Sequence, residues 1–293
     1  ERRRDLFSLR GVVSRDTVRG GNFARNFRVE TLTTDLEAVL KEPEFNLMVI
    51  ATRHDVHADQ VVQCLTAGKH VFVEKPLAIT WDQYENVVST YRGIENPPLL
   101  MVGFNRRFSP ALQKVMELVR DRRGPLMINY RMNAGYIPPE NWVQGPQGGG
   151  RNIGEACHIY DIFRALAGAP VAEVSATPII PRGDAHLRND NFTATILYED
   201  GTVGNLLYTA QGPRDGLAKE RAEIFCDGEA YIVDDYKSLY KAGDKNPLWT
   251  SSEVDKGHFD QLVLLGNAIV EGGSSPIEPE VIFETTAVAL TID

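Results

Sequence analysis

The sequence predicts an α/β domain followed by an α+β domain, and three observations carry that expectation. Residues 46–77, NLMVIATRHDVHADQVVQCLTAGKHVFVEKPL, read as strand, loop, helix and strand. Beyond residue 126, apolar and polar residues alternate with period two through successive segments. Turn pairs such as Asp200-Gly201 and Asp227-Gly228 join those segments, the pattern of an antiparallel sheet. The change of texture near residue 103 sets the expected domains at 1–103 and 104–293.

In chain order, Leu6 to Val13 reads as a strand ending in the loop Ser14-Arg15-Asp16. A short helix over Asn22–Phe27, an edge strand over Val29–Thr33 and a helix over Asp35–Leu40 follow, with Asp35 as N-cap. Leu47 to Ala51 is a short run of branched apolar residues, as in a strand buried on both faces of a parallel sheet. Ala58–Ala67 has apolar residues at helical spacing, and Gly68 sits where a helix turns back. His70–Val73 is the second strand of a βαβ unit, stopped by Pro76, which cannot donate to a ladder. Ligands belong at the carboxyl ends of such strands, here Thr52–His57 and Glu74–Pro76. Thr80 opens a helix over Trp81–Arg92, and Leu99–Phe104 is a further strand.

The second half begins with an amphipathic helix, Pro110–Asp121. Strands are expected at Leu126–Met132, Val171–Thr177, Asn191–Tyr198, Thr202–Thr209 and Arg221–Cys226, with a hairpin over Tyr231–Asp234 and Lys237–Lys241. A Gly-rich loop, Gly145–Gly150, precedes a helix over Ile153–Ala167, and helices return at His258–Glu271 and Pro279–Ile292.

Composition excludes several classes. A net charge of −9 argues against nucleic acid or an anionic membrane as partner. The three cysteines are scattered and form no CxxC pair, which reads as reduced cytoplasmic thiols and not a disulfide frame or zinc site. No run of 18 apolar residues occurs, and the first ten residues have no apolar signal core, so the expected location is cytoplasmic.

Four motifs in order resemble the Gfo/Idh/MocA family of NAD(P)-dependent oxidoreductases, the glucose–fructose oxidoreductase and inositol dehydrogenase-like enzymes. They are TRHDVH (Thr52 to His57), AGKHVFVEKP, VGFNRRF (Val102 to Phe108) and GGGRNIGEACHIYD (Gly148 to Asp161). The resemblance implies a Rossmann domain followed by a domain on a large, open, mostly antiparallel sheet. It also implies hydride transfer between a nicotinamide and a sugar, polyol or sugar derivative. An NAD-dependent glycosidase and a non-catalytic dinucleotide- or sugar-sensing regulator are the alternatives the same family offers. Some members are halves of longer fused chains, and an open sheet face implies a homodimer or homotetramer.

The sequence contains no GxGxxG, whose glycines let a helix N-terminus approach the pyrophosphate. Gly20-Gly21 lacks that spacing and follows the strand that should be second. In the Rossmann order 3-2-1-4-5-6 the strand before GxGxxG is central, and its loss would expose both neighbours. The expectation is therefore a preceding segment outside these residues, with trimming also within the last helix, near Thr291 to Asp293.

Oxidising an alcohol carbon needs a base for the hydroxyl proton, a nearby positive charge and a fixed nicotinamide. Lys75, at the end of a buried strand, is the first candidate; on spacing alone it also reads as a turn lysine. The family resemblance gives this lysine contact with both substrate and nicotinamide. It makes His158 the acid/base or its partner. The family's aspartate four residues before that histidine is here Gly154, and Glu155, on roughly the same helix face, is the substitute carboxylate. Asp161 could orient the imidazole or simply stabilise the helix.

For the cofactor, the candidates are Ser14, Arg15, Thr52, Arg53, His54, His57, Glu74, Lys75 and Asn105. Ser14 stands where NAD enzymes place an acid on the ribose, and Arg15 follows it, a pairing suited to a 2′-phosphate. The reading is NAD(P), leaning to NADP, with Asp16 still within reach of the ribose. For the substrate, the candidates around the Gly-rich loop are Tyr136, Asn141, Trp142 and Arg151, whose aromatic, amide and guanidinium groups suit polyols and equally suit loop packing. Asp161 is a further candidate, together with Arg106, which the resemblance sets beside nicotinamide and substrate. No metal site is expected, since His54, His57 and Asp55 find no cluster to complete four ligands.

Overall fold

A computed structural model describes residues 3–183 and 187–293. The first part of the chain holds two short parallel sheets. One pairs β1 (Gly11–Val13) with β2 (Thr31–Thr33), linked by α1 (Thr17–Phe27). After α2 (Leu36–Lys41), the other runs in the order β3 (Leu47–Ile50), β4 (His70–Val73), β5 (Leu100–Val102). Between these strands lie α3 (His57–Thr66) and α4 (Trp81–Gly93). The sheet thus comes in two pieces, with the break between β1 and β3. β3 is consequently an edge strand, and Val49 on it is 60% exposed, so it is not buried on both faces as its composition suggested.

The local chemistry explains the element starts. Asp16, Asp35, Thr80 and Ser109 each accept backbone N–H bonds as N-caps of α1, α2, α4 and the helix α5 (Pro110–Leu118). The Asp16 cap starts α1 at Thr17, five residues before the expected Asn22. β1 is shorter than expected because only Gly11–Val13 find partners in β2, whereas Leu9 stays 51% exposed.

The second part is dominated by an eight-stranded sheet in the order β13-β12-β11-β10-β6-β9-β8-β7. Its strands are β6 (Met127–Asn133), β7 (Val171–Pro178), β8 (Asn191–Tyr198), β9 (Val203–Thr209), β10 (Glu220–Cys226), β11 (Glu229–Asp234), β12 (Ser238–Lys241) and β13 (Trp249–Thr250). All neighbours pair antiparallel except β6 and β9, which run parallel through seven residue pairs. A sequence of hairpin turns cannot announce that pair, because β6 and β9 are separated by two strands and a helix. Three helices, α6 (Cys157–Ala167), α7 (His258–Glu271) and α8 (Pro279–Ile292), complete the unit.

One continuous core spans both parts. It joins Val71, Val73, Leu100 and Val102 of the parallel strands to Ile159, Ile162 and Phe163 of α6 and to Ile196, Leu206 and Ile224 of the large sheet. α6 therefore lies between the two sheets, and its N-terminal end meets the carboxyl end of β4. This placement assembles the site.

Candidate active site

β4 is buried along its length and ends at Glu74-Lys75-Pro76, with a cis Lys75–Pro76 bond. Lys75 Nζ donates to the carbonyl of Gly154 at 2.8 Å. Gly154 lies in a π-helical turn, Asn152–Ala156, that leads into α6. Such turns widen the helix and recur at functional sites. His158 follows one turn later, 4% exposed, with its ring edge-on to Phe104 at 6.3 Å. Its Nδ1 is buried with no hydrogen-bond partner. Burial, with Arg106, Lys75, His258 and Lys256 nearby, keeps the His158 imidazole neutral far below its ordinary titration range.

The loop after β3 forms the facing wall. His54 Nδ1 lies 2.7 Å from the Gly148 carbonyl, and its ring meets Trp142 edge-on at 4.9 Å. Burial pushes its pKa down to about 4, with Lys75 and His57 acting in the same direction. His57 is fully buried and sits between the carbonyls of Pro76 (2.8 Å) and Thr52 (3.2 Å), so it ties the two strand-end loops together. Arg53 lies over the Trp142 ring at 5.2 Å and hydrogen-bonds the Gln147 side chain, and Asp55 N donates to Gln147 O at 3.1 Å. The Gly-rich loop is thereby strapped to the loop after β3. Gly149, at φ +70°, permits an approach so close that a Cβ there would be 2.9 Å from Ile79.

Other expected residues lie elsewhere. Glu155 does not face His158. Its carboxylate accepts from Arg151 (2.7 Å), Tyr208 (2.6 Å) and Lys219 (2.9 Å), and these partners hold it ionised well below the usual carboxylate range. The π-turn explains this: its wider winding points residues three apart in different directions. Arg151 is 2% exposed and also donates to the carbonyls of Gly135 (2.5 Å) and Ala134 (3.0 Å), so it braces the wall and is not free to contact a substrate. Asp161 is fully buried, and its carboxylate is taken by Arg107 at 2.5 Å. Arg106 is buried in a two-pronged pair with Glu220 at 2.8 and 3.0 Å, and Asn105 Nδ2 donates to Lys256 O at 2.8 Å. Arg106 is thereby engaged at the large sheet and Asn105 at the loop before α7.

Tyr136 and Trp142 are 41% and 37% exposed, and Trp142 packs against Arg53 and His54. Asn141 Oδ1 accepts from Val143 N, shaping the loop that carries Trp142. Thr52 Oγ1 donates to Gln60, and Glu74, its pKa raised by burial, packs against Gly103. Ser14 Oγ donates to the Asp16 carbonyl at 2.9 Å, while Arg15 is exposed at the end of β1. The Asp16 carboxylate is engaged as the cap of α1.

Sequence reasoning missed Gln147, Arg107, Lys219, Tyr208, Glu220 and Lys256. Arg107 stood inside VGFNRRF and Gln147 inside the Gly-rich loop; Tyr208 and Glu220 come from strands of the large sheet, and Lys219 and Lys256 from segments flanking β10 and α7. Among the described residues no cluster of His, Cys, Asp or Glu could hold a metal ion, and no helix is long and apolar enough to cross a membrane.

β3, β4 and β5 run parallel, so their carboxyl ends, with Thr52, Glu74-Lys75 and Phe104, share one edge of that sheet. The chain contains no GxGxxG turn for the pyrophosphate.

Comparison with known proteins agrees. Residues 1–104 match the model of the GFO_IDH_MocA oxidoreductase family, described as an NAD-binding Rossmann fold. The scyllo-inositol 2-dehydrogenase (NAD(+)) of Bacillus subtilis is 30% identical over 203 residues, 67% of this chain and 57% of that protein. A 1-carboxy-3-chloro-3,4-dihydroxycyclohexa-1,5-diene dehydrogenase of Comamonas testosteroni is 30% identical over 195 residues, 64% of this chain and 48% of that protein. The chain spans about half the length of such relatives. Levoglucosan dehydrogenase in complex with NADH shares the fold, with a TM-score of 0.80 at 20% identity over 97% of this chain and 86% of that one. Residues 1–104 thus belong to the Gfo/Idh/MocA oxidoreductase family, and the two-part architecture of the whole chain is the fold shared with levoglucosan dehydrogenase.

Proposed function

We propose that the protein transfers a hydride between a nicotinamide cofactor and an alcohol carbon of a sugar, polyol or sugar derivative. The observation that carries this reading is the meeting of Lys75 and the π-turn of His158 at the 2.8 Å bond to Gly154 O. The names of the relatives, inositol and dihydrodiol dehydrogenases among them, support a polyol as substrate.

The chain's own residues supply the proton chemistry. The Lys75 ammonium donates to the substrate oxygen and stabilises the negative charge that grows there as its proton leaves. His158, neutral at physiological pH, takes that proton at Nε2, since Nδ1 is sealed in the core. Trp142 and Tyr136 offer faces to the ring of a sugar. The Gly145–Gly150 loop, strapped to His54 and Asp55, keeps water from the reacting face. A bound nicotinamide supplies the hydride acceptor or donor.

The cofactor seat falls to Ser14 and Arg15 at the end of β1, Thr52 at the end of β3 and Glu74 at the end of β4. Ser14 and Arg15, with Asp16 engaged in capping, favour NADP(H) over NAD(H). The domain division near residue 103, cytoplasmic location and assembly into a homodimer or homotetramer belong to the same proposal.

The test is a spectrophotometric screen of myo-inositol, scyllo-inositol and levoglucosan with NAD+ and NADP+. Reduced nicotinamide should accumulate with at least one polyol. A protein that binds NADH or NADPH but oxidises none would favour the sensor reading. Conversion of a glycoside with no net change in the nicotinamide would favour the glycosidase.

A further inference from the structure

The geometry points to His54 as a second hydroxyl-recognising residue, reading the hydroxyl next to the one held at Lys75 and His158. This inference rests on the dehydrogenase reading and narrows its substrate to vicinal diols.

Three side chains share one neighbour, Gly154. Lys75 Nζ sits on its carbonyl at 2.8 Å, and His158 follows it by one helical turn. The third is His54. A Cβ on Gly154 would stand 3.1 Å from His54 Cε1 and 3.4 Å from Nδ1. The imidazole therefore occupies space beside the turn that a side chain at 154 would contest. Residue 154 brings no functional group of its own, and His54 brings one from the opposite wall.

The ring is fixed in orientation. Nδ1 lies 2.7 Å from the Gly148 carbonyl, which can only accept, so Nδ1 carries the proton. Trp142 at 4.9 Å and His57 at 5.6 Å hold the ring plane. Nε2 then keeps its lone pair, and it makes no hydrogen bond among the described residues. The groups that bear on its charge are Lys75, His57 and Asp55, and the ring remains neutral across the physiological range.

A fixed neutral lone pair accepts from a hydroxyl and repels a carboxylate. The site thus presents two neutral imidazoles as acceptors and one ammonium as donor around Gly154. Two adjacent hydroxyls satisfy that set: one reacts between Lys75 and His158, and the other donates to His54 Nε2. A carboxylate next to the reacting carbon would meet the His54 lone pair unpaired.

The experiment uses the purified full chain and the variants H54N and H54Q, assayed on myo-inositol and its monodeoxy analogues, with Tm recorded for each. Asparagine retains a donor near Nδ1, and glutamine places a polar group near Nε2. In the wild type, removing the neighbouring hydroxyl should lower kcat/KM about tenfold, the loss of one hydrogen bond. H54N should lower kcat/KM for the intact diol by about the same factor and no longer distinguish diol from deoxy analogue, while H54Q regains part of that distinction. The ratio between two substrates is internal to each variant, so a partly folded preparation leaves it unmoved. An H54N enzyme that distinguishes the two substrates as well as the wild type does would refute the assignment. A wild type inactive on every polyol would instead remove the dehydrogenase reading on which the inference stands.

Discussion

Arg106 and Glu220 form a two-pronged ion pair, 2.8 and 3.0 Å, at the junction of the β5 end and the large sheet, with side chains 7% and 1% exposed. Lys256 completes the cluster at 2.5 Å from Glu220, and Tyr130 donates to the same carboxylate at 2.7 Å. The cluster holds two cations on one anion behind His158, and it links the strand-end loops to the wall opposite.

Removing the anion should therefore be costly. Glu220→Gln leaves Arg106 and Lys256 buried without a counter-charge, and the expected loss is about 3–5 kcal/mol. Urea unfolding of the variant against the wild type measures it. A loss below about 1 kcal/mol would mean that the cluster is open to water.

Stability should depend on pH in two stages. His54 titrates near 4 in the folded state against an ordinary 6.5, so between these values the unfolded chain binds a proton that the folded one refuses. That contribution is complete above pH 6.5 and is lost as pH falls toward 4. Glu220, held down to about 2 from 4.5, adds a second loss as pH falls below 4.5 toward 2. Tm recorded by calorimetry should hold from about pH 8 to about pH 6.5 and fall from there to about pH 3.

Close packing predicts a third effect. A Cβ on Gly204 in β9 would lie 2.4 Å from the Phe163 ring of α6. Gly204→Ala should cost about 1–3 kcal/mol through overpacking between sheet and helix, read from its urea midpoint.

The cofactor preference tests the β1 end. If Arg15 seats a 2′-phosphate, Arg15→Ala should weaken NADPH binding about tenfold and leave NADH binding within about twofold. Fluorescence titration with both nucleotides separates these outcomes, and an equal effect on both would assign Arg15 no role in the choice.

Much of the fold was legible because its signals are local. β4, β8, α7 and α8 begin and end where periodicity and turn residues placed them, and the Asp35 and Thr80 caps were readable as such. The parallel β6–β9 pair and the exposure of Val49 depend on which strands become neighbours, and no local pattern encodes that. The site divides the same way. Lys75 and His158 were legible from their motifs, and the structure brings their segments together at Gly154. Glu155, Arg106, Arg151 and Asp161 sat in those motifs too, yet each is consumed by a partner from a distant strand, helix or loop. Spacing along a helix also misled at Glu155, because the π-turn changes the angle between successive residues.

Lys75→Met removes the ammonium that is proposed to stabilise the reacting oxygen. The measurement is kcat for polyol oxidation by the variant, alongside its Tm and its affinity for the reduced nicotinamide. kcat should fall by about a hundredfold or more, with folding and nucleotide binding retained. A Lys75→Met enzyme turning over within about threefold of the wild type would contradict that role.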